Sequence, residues 1–239
     1  MKFIFDVDGT LTPSRSKMDM GFHLWFCNFI VLNDVYLATG SDAPKTIEQI
    51  GETLFNGVRR VYNCAGNSVW QHGKNMYNND WKLEDEPWKY LESKLNQSEW
   101  SLQTGWHFDE RPGLLNFSIL GRKATFKQRE MYVHHDYLMS ERNKISDEFN
   151  LIYGDKYGIV SQVAGETGID IMPVGKGKEQ ILDDFEPHAE ILFFGDMTMM
   201  GGNDFEISQR VKMLPNGRVF QVTDWQETWE ILKSENYFS

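Results

Sequence analysis

Two cysteines, Cys27 and Cys64, are all that the 239-residue chain contains. They are too few for a disulfide framework or a zinc cluster, so each reads as a small buried hydrophobe. Long apolar runs are missing as well. The longest, Phe22 to Leu32, is interrupted by His23 and Asn28 and is too short to cross a bilayer. The opening segment places two acids, Asp6 and Asp8, directly after a short apolar stretch, unlike a secretion signal. A soluble, cytoplasmic protein is expected. Basic residues are the third shortage: 24 Lys and Arg against 35 Asp and Glu give a formal net charge of −11. That balance argues against nucleic acid or an anionic membrane surface as a partner. Any phosphate held by such a chain must be held where its few cations are concentrated. No internal repeat or low-complexity segment is visible.

What is present is ample material for a core, with 41% hydrophobic and 14% aromatic residues. KFIFDVDGT is an apolar strand ending in acids, Gly and Thr, the form of a buried parallel strand whose carboxyl end enters a site. Residues 17–31 have helical apolar spacing, Val35–Thr39 is a second buried strand ending in Gly40-Ser41-Asp42, and Ala43–Phe55 reads as a helix. The same grammar returns late: Lys178–Phe185 is helical, Ile191–Phe194 is a strand ending in Gly195-Asp196, and Arg218–Val222 is another. A last helix is expected from Thr223, with Thr223 and Gln226 as its capping box. Alternation of strand and helix predicts an α/β core with a Rossmann-like parallel sheet. From about Asn79 to Pro173 the chain is richer in Trp and charge, and alternating stretches such as Leu114–Leu120 suggest an antiparallel sheet. The expected organisation is therefore a catalytic core from 1–79 and 177–239, with an inserted α/β cap at 80–176. The acids Glu84, Asp85 and Glu86 read as the solvated start of a helix.

Phosphoryl transfer through an enzyme carboxylate needs a nucleophile, a metal, a proton donor for the leaving oxygen, and donors for the phosphoryl oxygens. Asp6-Val7-Asp8-Gly9-Thr10 supplies two carboxylates two residues apart beyond a strand end. Asp6 is the expected nucleophile and Asp8 the general acid and base, with Gly9 allowing the turn. Gly195-Asp196 through Gly201-Gly202-Asn203-Asp204 is a second acidic cluster after a strand. Magnesium prefers carboxylate oxygens, so Asp6, the main-chain carbonyl of Asp8, and Asp196 form an expected ligand set, with Asp204 beside it or within it.

In order, DVDGT, LATGS, a Lys at a helix start and GD…GGND look like the four motifs of the haloacid dehalogenase superfamily, a likeness that implies that Thr39 or Ser41 bonds the phosphoryl group and that Lys178, with Lys176 competing for the role, balances the charge at Asp6. Within the superfamily, Glu110–Arg122 (ERPGLLNFSILGR), GDMTMMGGNDFEI and FDVDGTLTPSR resemble the cap signature, metal loop and first motif of the eukaryotic-type phosphomannomutases. The resemblance implies a phosphohexomutase that interconverts a hexose 6-phosphate and its 1-phosphate through an aspartyl-phosphate, the hexose being mannose by the family, with glucose the alternative that the residues leave open. It also implies Mg2+, a hexose bisphosphate as activator, a homodimer formed through the caps, and a place in GDP-mannose biosynthesis. By the same likeness Arg15, Arg111, Asn116, Arg122 and Arg129 bind the sugar and its non-reacting phosphate, and Asp170 takes sugar hydroxyls.

The residues support an anion seat independently. Thr125 and Gln128 form a capping box that puts Arg129 in the first turn of a helix, and Arg111, Arg122, Lys123, Lys127 and Arg129 concentrate positive charge. The ordinary alternative is a set of surface cations paired with neighbours such as Glu110 and Glu130. Two positions depart from the family pattern. Gly168 stands where the family has a phosphate-binding serine, and Arg210 stands where a further cation site has an acid. A magnesium-dependent sugar-phosphate phosphatase is the competing enzyme, separated from a mutase by whether water or a sugar hydroxyl attacks the aspartyl-phosphate. A non-enzymatic binding module would lack Asp6 or Asp8, and both are present.

Overall fold

The computed structural model describes residues 1–234, and the chain divides into two compact units. One comprises Met1–Asn79 together with the chain from Lys176 onward; the other is Asp80–Gly175, which leaves Lys176 with the first unit.

The first unit begins with β1 (Lys2–Phe5), α1 (Met20–Leu32), β2 (Asp34–Ala38), α2 (Ala43–Gly57) and β3 (Arg60–Asn63), followed by a hairpin of β4 (Ser68–Gln71) and β5 (Lys74–Asn78). The Asp19 carboxylate caps α1 by accepting from the N–H groups of Gly21 and Phe22, and Phe22, Phe26 and Phe29 form the buried stripe of that helix. Asp42 caps α2, which departs from helical geometry at Gly51, where φ is +78°.

The second unit contains α3 (Asp85–Gln97), β6 (Phe108–Arg111), β7 (Leu114–Phe117), α4 (Phe126–Met139), α5 (Glu141–Phe149), the one-turn α6 (Asp155–Tyr157), β8 (Ile159–Ala164) and β9 (Gly168–Pro173). Its four strands are antiparallel in the order β6-β7-β9-β8. Leu115, Phe117, Ile169 and Ile171 of the sheet pack with Leu91, Tyr132 and Phe149 of the helices. Asp85 and Glu86 occupy the first turn of α3, where acids favour the helix dipole. Thr125 and Gln128 form the reciprocal capping box at α4.

The chain then completes the first unit with a 3₁₀ segment (Lys178–Asp184), β10 (Ile191–Gly195), α7 (Phe205–Met213), β11 (Gly217–Gln221) and α8 (Trp225–Ser234). The sheet order is β11-β10-β1-β2-β3-β4-β5, parallel from β11 to β3 and antiparallel through the hairpin. Strand alternation sends Phe3, Phe5 and Phe194 to one face with α1, and Ile4 and Phe193 to the other with Ile207 and Val211 of α7. Covering both faces is what makes β1 and β10 read as continuous apolar runs.

One expected cap lies a residue later than the sequence pattern placed it. The Asp224 carboxylate, not Thr223, accepts from the Glu227 N–H, and Glu227 rather than Gln226 returns the bond, to the N–H and hydroxyl of Thr223. Asp224-x-x-Glu227 offers the same spacing with a carboxylate at each end, and it outcompetes the Thr223 pairing. Among the described residues no helix is long and apolar enough to cross a membrane.

Candidate active site

Parallel pairing of β1 with β10 brings the two acidic turns together at one sheet end. The N–H of Asp6 donates to the Phe194 carbonyl, which carries the sheet register one residue past β1. The chain then curls: the N–H groups of Thr10, Leu11 and Thr12 all donate to the Val7 carbonyl. Gly9 holds φ +80°, and an added Cβ there would collide with the Asp196 carboxylate, so glycine is needed for both conformation and clearance. The loop after β10 closes similarly, with the Gly202 backbone against the Met197 carbonyl.

Within this site Lys178 is the organising cation. It is buried, and its Nζ donates to Asp6 Oδ1 at 2.5 Å and to Asp204 Oδ1 at 2.6 Å. Lys176, the competing candidate, contributes its main-chain carbonyl to Asn67 and Gln180. Burial pushes the Asp6 carboxyl well above its ordinary range, with Lys178 opposing and the carboxylates of Asp204 and Asp196 adding to the rise. Burial alone would lower the Lys178 ammonium, but Asp204 and Asp6 outweigh it and raise it. Burial, and then Asp204, push Asp196 up to about 6.

Asp6, Asp196 and Asp204 each offer a carboxylate oxygen within 4.8 Å of the others. Three carboxylates around one ammonium leave the cluster short of positive charge, and an all-oxygen donor set of that sign fits a hard divalent cation. The Asp8 carboxylate is engaged elsewhere. Its Oδ1 accepts from the Arg15 N–H at 2.6 Å and from Gln49 Nε2 at 2.9 Å, and its Oδ2 from Ser41 Oγ at 3.4 Å. Thr39 Oγ1 accepts from the Ser41 N–H at 3.1 Å, fixing the turn after β2. Arg15 adopts φ +54° on the segment that follows the DVDGT turn.

The second unit gathers the remaining predicted residues around β7 and β9. Asp109 Oδ2 accepts from Arg111 Nη2 at 2.6 Å and from Arg122 Nη2 at 2.9 Å. Arg129 grips Glu166 through Nε and Nη2, at 3.2 and 3.0 Å. Asn116 Nδ2 donates to Asp170 Oδ1 at 2.5 Å, whereas Asn116 Oδ1 is buried without a protein partner. Burial raises the Asp170 carboxyl, with Arg111 the strongest opposing influence. Burial and the neighbouring Arg111 lower the Arg122 guanidinium. Asp109 and Glu166 are carboxylate partners of the arginines, and neither was singled out in the sequence; Glu110 pairs with Lys82. Arg142, also unmarked, bonds Asp136 and the carbonyls of Gly165 and Gly168, bracing the β8–β9 turn. At Gly168 a Cβ would sit 2.6 Å from Asn116 Nδ2. Arg210 pairs with Asp183 and the Glu179 carbonyl.

A model of the eukaryotic phosphomannomutase family matches residues 31–234. The chain belongs to the eukaryotic phosphomannomutase family. The match spans both units and includes the LATGS turn, the 110–122 segment and the 195–204 loop, while β1 and its DVDGT turn precede it. A phosphomannomutase of Galdieria sulphuraria is 30% identical over 220 residues, covering 88% of this chain and 86% of the relative. One from Saccharomyces cerevisiae is 28% identical over 212 residues, covering 85% and 83%. A haloacid dehalogenase-like hydrolase from Bacteroides thetaiotaomicron has the same fold, with a TM-score of 0.64 at 12% identity over 98% of each chain. Phosphomannomutase family membership thus rests on sequence, and the haloacid dehalogenase fold on structure.

Proposed function

We propose that the protein is a phosphohexomutase interconverting mannose 6-phosphate and mannose 1-phosphate, supplying GDP-mannose synthesis in the cytoplasm. The observation that carries this reading is the Asp6–Lys178–Asp204 cluster beside Asp196 in a chain of this family. Asp6 attacks phosphorus, the bond from phosphorus to the sugar oxygen breaks, and Asp8 donates a proton to that oxygen. The aspartyl-phosphate then passes to a sugar hydroxyl as Asp8 takes the hydroxyl proton. When that hydroxyl belongs to mannose 1-phosphate a hexose bisphosphate forms, which returns its other phosphoryl group to Asp6 and leaves as mannose 6-phosphate; added bisphosphate loads Asp6 for the first turnover. Lys178 holds the Asp6 carboxylate and offsets charge gathering on the phosphoryl oxygens, and Thr39 and Ser41 supply hydroxyl donors. Mg2+, held by Asp6, Asp196, Asp204 and the Asp8 carbonyl, would neutralise phosphoryl charge.

Arg15, Arg111, Asn116, Arg122, Arg129 and Asp170 hold the sugar and its non-reacting phosphate in this proposal. Support comes from the burial of Arg122 and Arg129 and from the paired nitrogens that Arg129 already presents to a carboxylate. The partner we infer is a second copy of the chain, joined through the second unit. The outer face of α4 supports this, because Phe126, Tyr137 and Leu138 lie 76%, 82% and 65% exposed there. Incubation with mannose 1-phosphate and a catalytic amount of hexose bisphosphate tests the function. Mannose 6-phosphate is the expected product; inorganic phosphate instead would make the protein a sugar-phosphate phosphatase.

A further inference from the structure

Gln49 is not part of any motif, yet it is buried against the Asp8 carboxylate. Its Nε2 has two hydrogens and two acceptors: Asp8 Oδ1 at 2.9 Å and Thr12 Oγ1 at 3.2 Å. Thr12 Oγ1 is available as an acceptor because its own hydrogen goes to the Val7 carbonyl. Reversing the amide would point Oε1 at a carboxylate oxygen and strand both hydrogens, so the neighbours fix the orientation. Gln49 Oε1 is left buried with no protein partner. The Gln49 main-chain carbonyl accepts from the Met18 N–H, two residues before the break of α2 at Gly51, so backbone and side chain both tie the 8–18 segment to this helix.

An unpaired buried acceptor costs stability that an apolar side chain of similar shape would not. The glutamine is thus explained by what its other end holds. The two oxygens of Asp8 are unequal: Oδ1 receives two N–H donors, and Oδ2 receives only the long Ser41 contact among the described residues. We propose that Gln49 is the positioning residue of Asp8, locking its carboxylate so that Oδ2 is the atom that exchanges the proton. This rests on the reading of Asp8 as general acid and base. As Asp6 attacks phosphorus, the electron pair of the breaking bond stays on the sugar oxygen, which takes the proton from Asp8 Oδ2. In the return step Oδ2 takes the proton of the attacking hydroxyl. Gln49 itself neither gains nor loses a proton.

The test compares two phosphate donors, a hexose bisphosphate, whose leaving sugar oxygen needs a proton, and acetyl phosphate, whose leaving carboxylate does not. Phosphoenzyme formation is measured for the parent, Gln49→Met, Gln49→Leu and Asp8→Asn, with the Tm of each. Both Gln49 variants are expected to lose about ten- to a hundred-fold in kcat/KM for phosphoenzyme formation from the hexose bisphosphate. Their loss with acetyl phosphate should be at least about ten-fold smaller, and their Tm equal to or above that of the parent. If Asp8→Asn discriminates between the donors while both Gln49 variants slow them equally, Gln49 is only structural and the inference is overturned. If Asp8→Asn does not discriminate, the acid–base reading of Asp8 fails first.

Discussion

The two units treat charge in opposite ways. Around Asp6 three carboxylates face one ammonium, so the first unit is short of a cation. In the second unit Arg111 and Arg122 rest on Asp109, and Arg129 on Glu166, so each guanidinium already has a carboxylate. The first arrangement favours an arriving cation. The second keeps its arginines oriented and partly neutralised, so under the proposed function an arriving phosphate would have to outcompete Asp109 and Glu166 for them.

The most severe way to break this contrast is Asp6→Asn. We expect phosphoryl transfer to fall by about 10⁴-fold or more with the fold intact, measured as phosphoenzyme formation from any donor. Normal transfer by that variant would remove the nucleophile assignment. Next come Arg122→Ala and Arg129→Ala, each expected to cost roughly 2–4 kcal/mol in kcat/KM for sugar phosphates, with much smaller losses for acetyl phosphate. Equal losses on both donors would mean that these arginines serve the fold.

Gly168→Ala tests the polar pair beside those arginines. Its Cβ would press on the Asn116 amide, and displacing it from Asp170 should cost about 1–3 kcal/mol of stability and raise the KM for mannose 1-phosphate. An unchanged Tm and KM would show that Asn116 swings aside freely. The smallest effect concerns pH at the first unit. Because Asp196 is raised to about 6, the ion-free form is stabilised below the ordinary carboxylate range and loses that contribution as pH rises through about 6. An added cation needs the ionised form, so the Tm gain from Mg2+ should be larger at pH 7.5 than at pH 5, by about ten-fold in apparent affinity. A gain that does not depend on pH would place the ion away from Asp196.

How legible each part was in the sequence follows from the range of the interactions involved. The parallel sheet was readable because β1 and β10 are covered on both faces and each ends in acids and glycine. Lys178 stood out only by its order among the motifs, and nothing local distinguished it from Lys176; a contact across 172 positions in sequence does that. Gln49 left no signal, since a polar residue inside a helix looks solvated until Asp8 is folded against it. Asp109 and Glu166 were equally invisible, because an acid near an arginine in sequence is not thereby its partner: Glu110, closer to Arg111, bonds Lys82 instead. The α8 cap moved by one residue because Thr223 and Asp224 are both competent and only the folded geometry chooses.

Strand β1 pairs on one edge with β2, some thirty residues away, and on the other with β10, where Lys2 meets Ile191. During synthesis its second edge therefore stays open until β10 has emerged, while the intervening unit, whose described strands pair only with one another, has what it needs to fold first. The strand that leads into Asp6 is thus made before the intervening unit and enclosed after it. An apolar strand held open for that long is a site where chaperones would bind and where premature self-association would start.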